Sequence, residues 1–360
     1  MAHRMLDLAM LRKVGILLRD HRPAQIFNIL RFGYHAFRGF PTPQLPFDPL
    51  WLAFFITARC NLRCLQCVYR SPDSPQEPQH FRNMSMDDFI RALNRYPRTT
   101  SVSLAGGEPL LHPDVFEMSR VAHQRKIKVH VFTNGSLLAN LVDRLLAAPI
   151  EFFNLSFYGT DAESFSRVTG GTGAMFDNIK EAARSLARQR QPGGYPHTLR
   201  ASFICTKRNL EQLIPFVRLC EEIGFDQVKL RNLLPWGIPG YEDTICLHEG
   251  DPEVALFMKE LRRQKFRIPV FLPRLHKAEY RPRRCDMPFR LLTIDGDGSI
   301  SQCCNIATRS CYGNIFKDAD AWNGPTMLGA RRDLRNAEKD LPVYCLHCEE
   351  MVPDRIYVGG

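Results

Sequence analysis

The stretch Trp51-Leu52-Ala53-Phe54-Phe55-Ile56-Thr57-Ala58-Arg59-Cys60-Asn61-Leu62-Arg63-Cys64-Leu65-Gln66-Cys67 decides how this chain is read. Its first seven residues form an apolar run of strand length, and three cysteines follow almost at once. Three thiolates at this spacing can hold three irons of a [4Fe–4S] cluster and leave the fourth iron without a protein ligand. A fourth cysteine would close the centre for electron transfer, whereas an open iron can bind a substrate or cofactor. Zinc is the rival, but it usually takes four ligands, and the next His or Cys is as far off as His80.

Outward from this stretch, short apolar runs alternate with helical periodicity. Strands are predicted at 51–57, 100–105, 128–133, 151–157, 198–204 and 226–231. Helices are predicted near 85–96, 113–124, 136–147, 174–190 and 209–223, the first opened by Ser85 with Asp88 three residues on. Six βα units in series predict an α/β fold with a parallel sheet, a partial (β/α)6 TIM-type barrel rather than a closed eight-stranded one. Ligands then belong at the C-terminal strand ends. Residues 1–50 read as an N-terminal helical segment, 51–274 as the partial barrel, and 275–360 as a small C-terminal extension opening with strands 290–294 and 299–302 around Asp297-Gly298.

The 360 residues suit two or three domains, and 44% hydrophobic with 24% charged residues is ordinary globular composition. No apolar run is long enough to span a bilayer, and no export signal is read, so a cytoplasmic location is expected. The net charge of +10 is carried by arginine far more than lysine, 37 against 11. It forms no block of five basic residues, so dispersed surface charge is the preferred reading and no nucleic-acid partner is expected. Twelve cysteines in such a chain point to metal or redox chemistry rather than disulfides.

The CxxxCxxC spacing after the first strand, with Gly106-Gly107-Glu108-Pro109 after the second, resembles the radical S-adenosylmethionine (SAM) enzymes. The resemblance implies a SAM-binding [4Fe–4S] cluster on Cys60, Cys64 and Cys67. It also implies reductive cleavage of SAM to a 5′-deoxyadenosyl radical that abstracts hydrogen from a substrate. By the same resemblance Gly106, Gly107 and Glu108 would bind the SAM amino group, Ser156 the ribose, and Arg167 the SAM carboxylate, with Asn134 on the same face. One departure is Gln66, where the family commonly has an aromatic residue, so adenine stacking is not assigned. Cys205 at the end of the fifth strand is a candidate hydrogen-atom donor, with a small buried strand residue as the preferred reading.

Later in the chain, Cys285, then Gly298, then Cys303 resembles the opening of the SPASM/twitch extension found after many radical SAM cores. Cys345 and Cys348 supply a close pair, and no cysteine follows them. The resemblance therefore implies one auxiliary [4Fe–4S] cluster on Cys285, Cys303, Cys345 and Cys348, with Cys304 and Cys311 spare. Four thiolates saturate a cluster, which suits electron transfer; a structural zinc site is the alternative.

The N-terminal helices, about 5–19 and 24–38, place Leu6, Met10, Val14 and Leu17 on one face of the first, and Ile26, Leu30 and Phe37 among Arg31, His35 and Arg38 in the second. Packing against the barrel is preferred, and peripheral membrane contact through residues 1–40 is the alternative. The expected function is dehydrogenation, cross-linking or a related modification of a small molecule or peptide, with the auxiliary cluster taking or relaying an electron. A reductant such as flavodoxin or ferredoxin is implied. The alternatives are a membrane-surface radical SAM enzyme acting on a lipid or tetrapyrrole-type substrate and, in another class, a non-catalytic iron–sulfur or zinc protein that carries electrons or binds nucleic acid.

Overall fold

A computed structural model describes residues 15, 18–67, 82–234, 244–276, 285–305, 312–336, 338–340, 345 and 348, with the backbone of 357–358. Six parallel strands follow one another in chain order: β1 (Trp51–Thr57), β2 (Ser101–Gly106), β3 (Lys128–Thr133), β4 (Phe152–Ser156), β5 (Thr198–Cys205) and β6 (Gln227–Asn232). Each lies within one or two residues of its predicted span. The two-residue β7 (Val270–Phe271) extends the β6 edge in parallel. At the other edge β8 (Leu291–Asp295) pairs in parallel with β1, and β9 (Ile300–Ser301) folds back antiparallel on β8. Antiparallel β10 (Tyr357–Val358) completes the β7 side. The hairpin read from sequence as part of a separate extension is thus an edge of the barrel sheet itself.

Helices cover the outer face and the base of the sheet. They are α1 (Pro23–Phe37), α2 (Met86–Arg95), α3 (Val115–Gln124), α4 (Val142–Ala147), α5 (Ala162–Thr169), α6 (Gly173–Gln189), α7 (Leu213–Ile223), α8 (Pro252–Arg263), α9 (Met287–Arg290) and α10 (Pro325–Asp333). Ser85 caps α2 by accepting from the Asp88 amide at 3.0 Å, while the Asp88 carboxylate pairs with Arg82 and Arg91. The predicted 136–147 helix divides into a 3₁₀ turn, Leu138–Asn140, and α4. Of the predicted first helix, Gly15 and 18–20 are helical, and Leu6, Met10, Val14 and Leu17 lie outside the described residues.

Strand alternation sorts the side chains into two environments. Leu52, Phe54, Val102, Leu104, Val129, Val131, Phe153, Leu155, Leu199, Ala201, Phe203, Val228 and Leu230 face the helices and are 1% exposed or less. The opposite parity faces the barrel lumen and is far more polar: Ser103, His130, Asn154, Ser156, Arg200, Ser202, Lys229 and Arg231. This alternation overturns the candidate role of Cys205. It shares parity with Leu199, Ala201 and Phe203 and is fully buried in the apolar layer, so its thiol does not face the lumen.

The edge strands are pinned by Arg331 of α10, fully buried and 4.1 Å over the Trp322 ring. Its guanidinium donates to the carbonyls of Pro288, Pro43 and Trp322 at 2.8, 3.0 and 2.9 Å and to Asn323 Oδ1 at 3.2 Å. One side chain thereby ties the segment before β1 to the segment around β8.

Candidate functional site

The cysteine loop leaves the C-terminal end of β1 and is held from two sides. The Arg63 and Leu65 amides donate to the Thr169 and Val168 carbonyls, both at 2.9 Å, at the end of α5. On the other side the Gly107 amide donates to the Thr57 carbonyl at 2.8 Å and the Glu108 amide to the Arg59 carbonyl at 2.7 Å. This contact explains the two glycines. A Cβ on Gly106 would stand 2.2 Å from the Thr57 carbonyl oxygen, and one on Gly107 2.3 Å from that of Arg59. Gly106 also has φ +136°, a value few other residues adopt.

Glu108 points inward rather than toward the loop mouth. It is fully buried, and its carboxylate accepts from Thr133 Oγ1 at 2.6 Å and from the amides of Leu110 at 2.9 Å and Asn134 at 2.6 Å. Burial raises its pKa, and these donors partly offset that. Glu108 thus fastens the end of β2 to the end of β3. Asn134, so held, donates through Nδ2 to Asn61 Oδ1 at 3.2 Å and stands 3.6 Å from Cys60 Sγ. Asn61 and Ser136 are hydrogen-bonded to each other at 2.8 and 3.0 Å.

The three thiols lie close enough to feel one another's charge. Burial first, then Cys67 and Cys60, push the Cys64 thiol up to about 12. Three neighbouring thiolates are unfavourable without a cation among them, which is the donor chemistry an iron–sulfur cluster requires. Gln66 Oε1, in the same loop, is buried without a hydrogen-bond partner among the described residues. Ser156 is half-buried and hydrogen-bonded to Tyr158. Burial raises the Tyr158 phenol far above its ordinary range, Cys64 adds to the rise, and Arg231 opposes it. Tyr158 and Arg231 therefore belong to this site, although only the alternation of polar residues along β4 and β6 pointed to them in the sequence. Arg167 is an exposed α5 residue paired with Glu163 at 3.5 Å.

The late cysteines gather at the other end of β1. Cys285 and Cys303, with Cys304, pack on Trp51, Ala53, Met287 and Leu291, and β8 starts opposite Trp51. Burial pushes Cys285 up to about 12, with Cys348 and Cys345 adding to it. The Cys304 thiol and burial push Cys303 well above its usual range, and Cys348 contributes. Asn305 donates through its amide to Cys303 Sγ at 3.3 Å and through Nδ2 to Cys348 Sγ at 3.4 Å. Cys304, read from sequence as spare, thus sits inside the group, while Cys311 lies outside the described residues. Among the described residues no three His, Cys, Asp or Glu side chains converge on a single metal-ion position. The thiols of a cubane cluster each bind a different iron and need not converge on one point.

Between the two thiol groups runs the lumen, roughly 20 Å along β1. Its lower part holds Trp51 and His130, ring centroids 5.2 Å apart, then Phe152 with Arg200 4.3 Å over its ring. Burial lowers His130 to about 4, so it is neutral at physiological pH. Trp51 Nε1 and Thr293 Oγ1 are buried there with no hydrogen-bond partner among the described residues.

A parallel half-barrel with a cysteine trio at its mouth and a second cysteine group at its base defines an iron–sulfur protein built around one lumen. Residues 54–220 match the radical SAM superfamily and residues 285–349 match an iron–sulfur cluster-binding domain, SPASM. The chain thus carries a radical SAM domain and a SPASM domain, which imply a [4Fe–4S] cluster, SAM and an auxiliary iron–sulfur cluster as cofactors. The radical SAM domain displaces the non-catalytic reading in favour of an enzyme.

Among its relatives is a "Probable GTP 3',8-cyclase" of Metallosphaera sedula, 28% identical over 229 residues, 63% of this chain and 66% of that protein. The "AdoMet-dependent heme synthase" of Methanosarcina barkeri is 29% identical over 228 residues, 61% of each chain. The chain thus spans no more than two thirds of either relative. In fold it resembles Streptococcus suis SuiB bound to S-adenosylmethionine, with TM-score 0.60, 19% identity, and 89% of this chain and 75% of that one covered. It also resembles anSMEcpe with bound AdoMet, with TM-score 0.57, 18% identity and coverages of 80% and 84%.

Proposed function

We propose that the chain is a radical SAM enzyme that oxidises or cross-links a substrate bound in the barrel lumen, between a SAM-binding cluster at the mouth and an auxiliary cluster at the base. The single observation that carries this is the placement of the two cysteine groups at opposite ends of β1, with a polar lumen between them. Cys60, Cys64 and Cys67 would hold the first cluster, and Cys285, Cys303, Cys345 and Cys348 the second. When bound, the first supplies the electron that cleaves SAM to methionine and a 5′-deoxyadenosyl radical, and the second accepts an electron from the substrate.

The chain's own residues orient and shield this chemistry. Gly106 and Gly107 let the β2 loop lie in backbone contact with the cysteine loop and are the proposed contacts to the SAM amino group. Glu108 acts behind them as a positioning residue, and Asn134, Ser156, Tyr158 and Arg167 line or flank the mouth. Lys229 and Arg231 on the lumen face of β6 suit an anionic substrate, the charge type of the nucleotide and the heme for which the two relatives above are named. The first electron would come from a donor such as flavodoxin or ferredoxin.

The test is anaerobic. Protein reconstituted with iron and sulfide, then given dithionite and SAM, is expected to form 5′-deoxyadenosine, and Cys64→Ala to form none. A fully loaded protein that leaves SAM intact would refute the proposal.

A further inference from the structure

Helix α1 is amphipathic the wrong way round. Its only buried residues are Gln25 and Asn28. Gln25 Nε2 donates to the Thr99 carbonyl at 2.7 Å and lies 3.3 Å from the carbonyls of Arg125 and Lys126. Asn28 Nδ2 donates to the carbonyls of Asp48 and Arg98 at 3.1 and 3.2 Å, and its Oδ1 accepts from the Asp48 amide at 3.0 Å. Those carbonyls belong to turns entering β1, β2 and β3, where backbone acceptors need donors. Polar side chains therefore anchor α1 to the base of the barrel, and Phe32, Ala36 and the His35 ring, 5.5 Å from that of Phe47, pack on the core from its later turns.

The opposite face is apolar and open. Phe27, Leu30, Tyr34 and Phe37 follow one another at helical spacing and are 54%, 60%, 57% and 93% exposed. A stripe of this kind on a soluble surface marks a contact face. Its flanks are cationic: Arg31 lies 4.7 Å over the Phe27 ring, and Arg38 lies 5.8 Å over the Tyr34 ring and donates to its Oη at 3.0 Å. From His21 to Phe47 the sequence contains no Asp or Glu. Aromatic residues between arginines, with no carboxylate to repel phosphate, complement the interface of an anionic bilayer. No helix among the described residues is long and apolar enough to cross a membrane, so the contact is one of lying on the surface.

We propose that α1 docks this protein peripherally on anionic phospholipid through Phe27, Leu30, Tyr34 and Phe37, with Arg31 and Arg38 at the headgroups. The packing preferred from sequence holds for one face of the helix only, the polar one. Because α1 is anchored at the turns entering β1–β3, the docking face lies at the base end of the barrel, away from the Cys60 loop, and the mouth stays open to the aqueous side.

The test uses full-length reconstituted protein and vesicles of phosphatidylcholine with and without about a third phosphatidylglycerol. The protein should co-sediment with the anionic vesicles, and a Phe37→Trp reporter should shift to the blue on binding them. Binding should weaken with salt and fall roughly fivefold for each of Arg31→Gln and Arg38→Gln, the equivalent of ~1 kcal/mol per basic residue at such a surface. The Phe27→Ser, Leu30→Ser, Tyr34→Ser, Phe37→Ser variant should lose about tenfold or more while keeping wild-type iron content and circular dichroism, since all four side chains are exposed. Absence of binding to anionic vesicles would overturn the proposal. So would a dimer of the wild-type protein that this variant dissolves, since the face would then belong to a second copy.

Discussion

Replacing Gly107 with alanine adds one methyl group where the structure has no room for it. Its Cβ would stand 2.3 Å from the Arg59 carbonyl oxygen, 2.6 Å from the Arg59 carbonyl carbon and 2.7 Å from the Ala58 oxygen. All three are backbone atoms of the segment leading into Cys60, so no side chain can swing aside. Ordinary contact requires one loop to move by about 1 Å, with an overpacking cost of about 1–3 kcal/mol. The movement also stretches the Gly107–Thr57 and Glu108–Arg59 hydrogen bonds, each worth about 0.5–1.5 kcal/mol. The expected destabilisation is therefore about 2–6 kcal/mol. A displacement of that size beside a reacting centre costs on the order of 100-fold in rate. The assay is 5′-deoxyadenosine formation under saturating dithionite and SAM, alongside the unfolding midpoint. Gly33→Ala is the control: nothing lies within 4 Å of its added Cβ in α1, and alanine in mid-helix stabilises by roughly 0.5–1 kcal/mol. If Gly107→Ala unfolds like the wild type and cleaves SAM within about twofold of it, the close packing of these loops is not what positions the site.

Three further outcomes follow from single side chains. Arg331→Ala leaves the buried Pro288 and Trp322 carbonyls without their guanidinium donor, and takes away the donor to the half-buried Pro43 carbonyl and one of two donors to Asn323 Oδ1; it should cost about 3–5 kcal/mol, read as a loss of urea stability in the holoprotein. Asp295, pushed up to about 7 by burial and then by Asp297, keeps its proton in the folded state until about pH 7, while the unfolded chain releases it near the ordinary 3.8. Stability should therefore fall as pH rises from about 4 to 7 and stay lowered above that; Asp295→Asn should gain on the order of 2 kcal/mol at pH 8 and nothing at pH 4. A gain that is equal at both pH values would show that the carboxyl does not titrate there. Asn134→Ala removes an amide facing Cys60 Sγ and should lower the reduction potential of the first cluster, measured by EPR-monitored titration, without changing iron content.

Much of this architecture could be read from short windows of sequence. Each barrel strand is a run of five to eight residues, either apolar or alternating, closed by a turn, and the cysteine trio and the glycine pair each stand at a strand's C-terminal end. The side-chain parity was legible too: Arg200, Ser202 and Ile204 alternate with Leu199, Ala201, Phe203 and Cys205, which already places Cys205 on the apolar side. What escaped local reading depends on distant partners. The return of β8 to β1 is set by a pairing across more than half the chain, and it carries the second cysteine group to the base of the lumen. The inward face of α1 is polar because of carbonyls on turns far along the sequence, so its periodicity alone suggested packing of the opposite face. Glu108 carries a carboxylate that a sequence reading sends to a ligand, but its partners, Thr133 and Asn134, come from the next βα unit.

Two separate clusters held by two separate cysteine groups are central to the proposed chemistry, and iron counting after anaerobic reconstitution tests them most directly. The wild-type protein should bind about eight irons and eight sulfides, and the Cys60/Cys64/Cys67→Ala variant about four, with absorbance near 400 nm retained and SAM left uncleaved. A triple variant that holds one zinc and no sulfide would contradict the account, because the base of the lumen would then carry a structural metal and no acceptor for the substrate's electron.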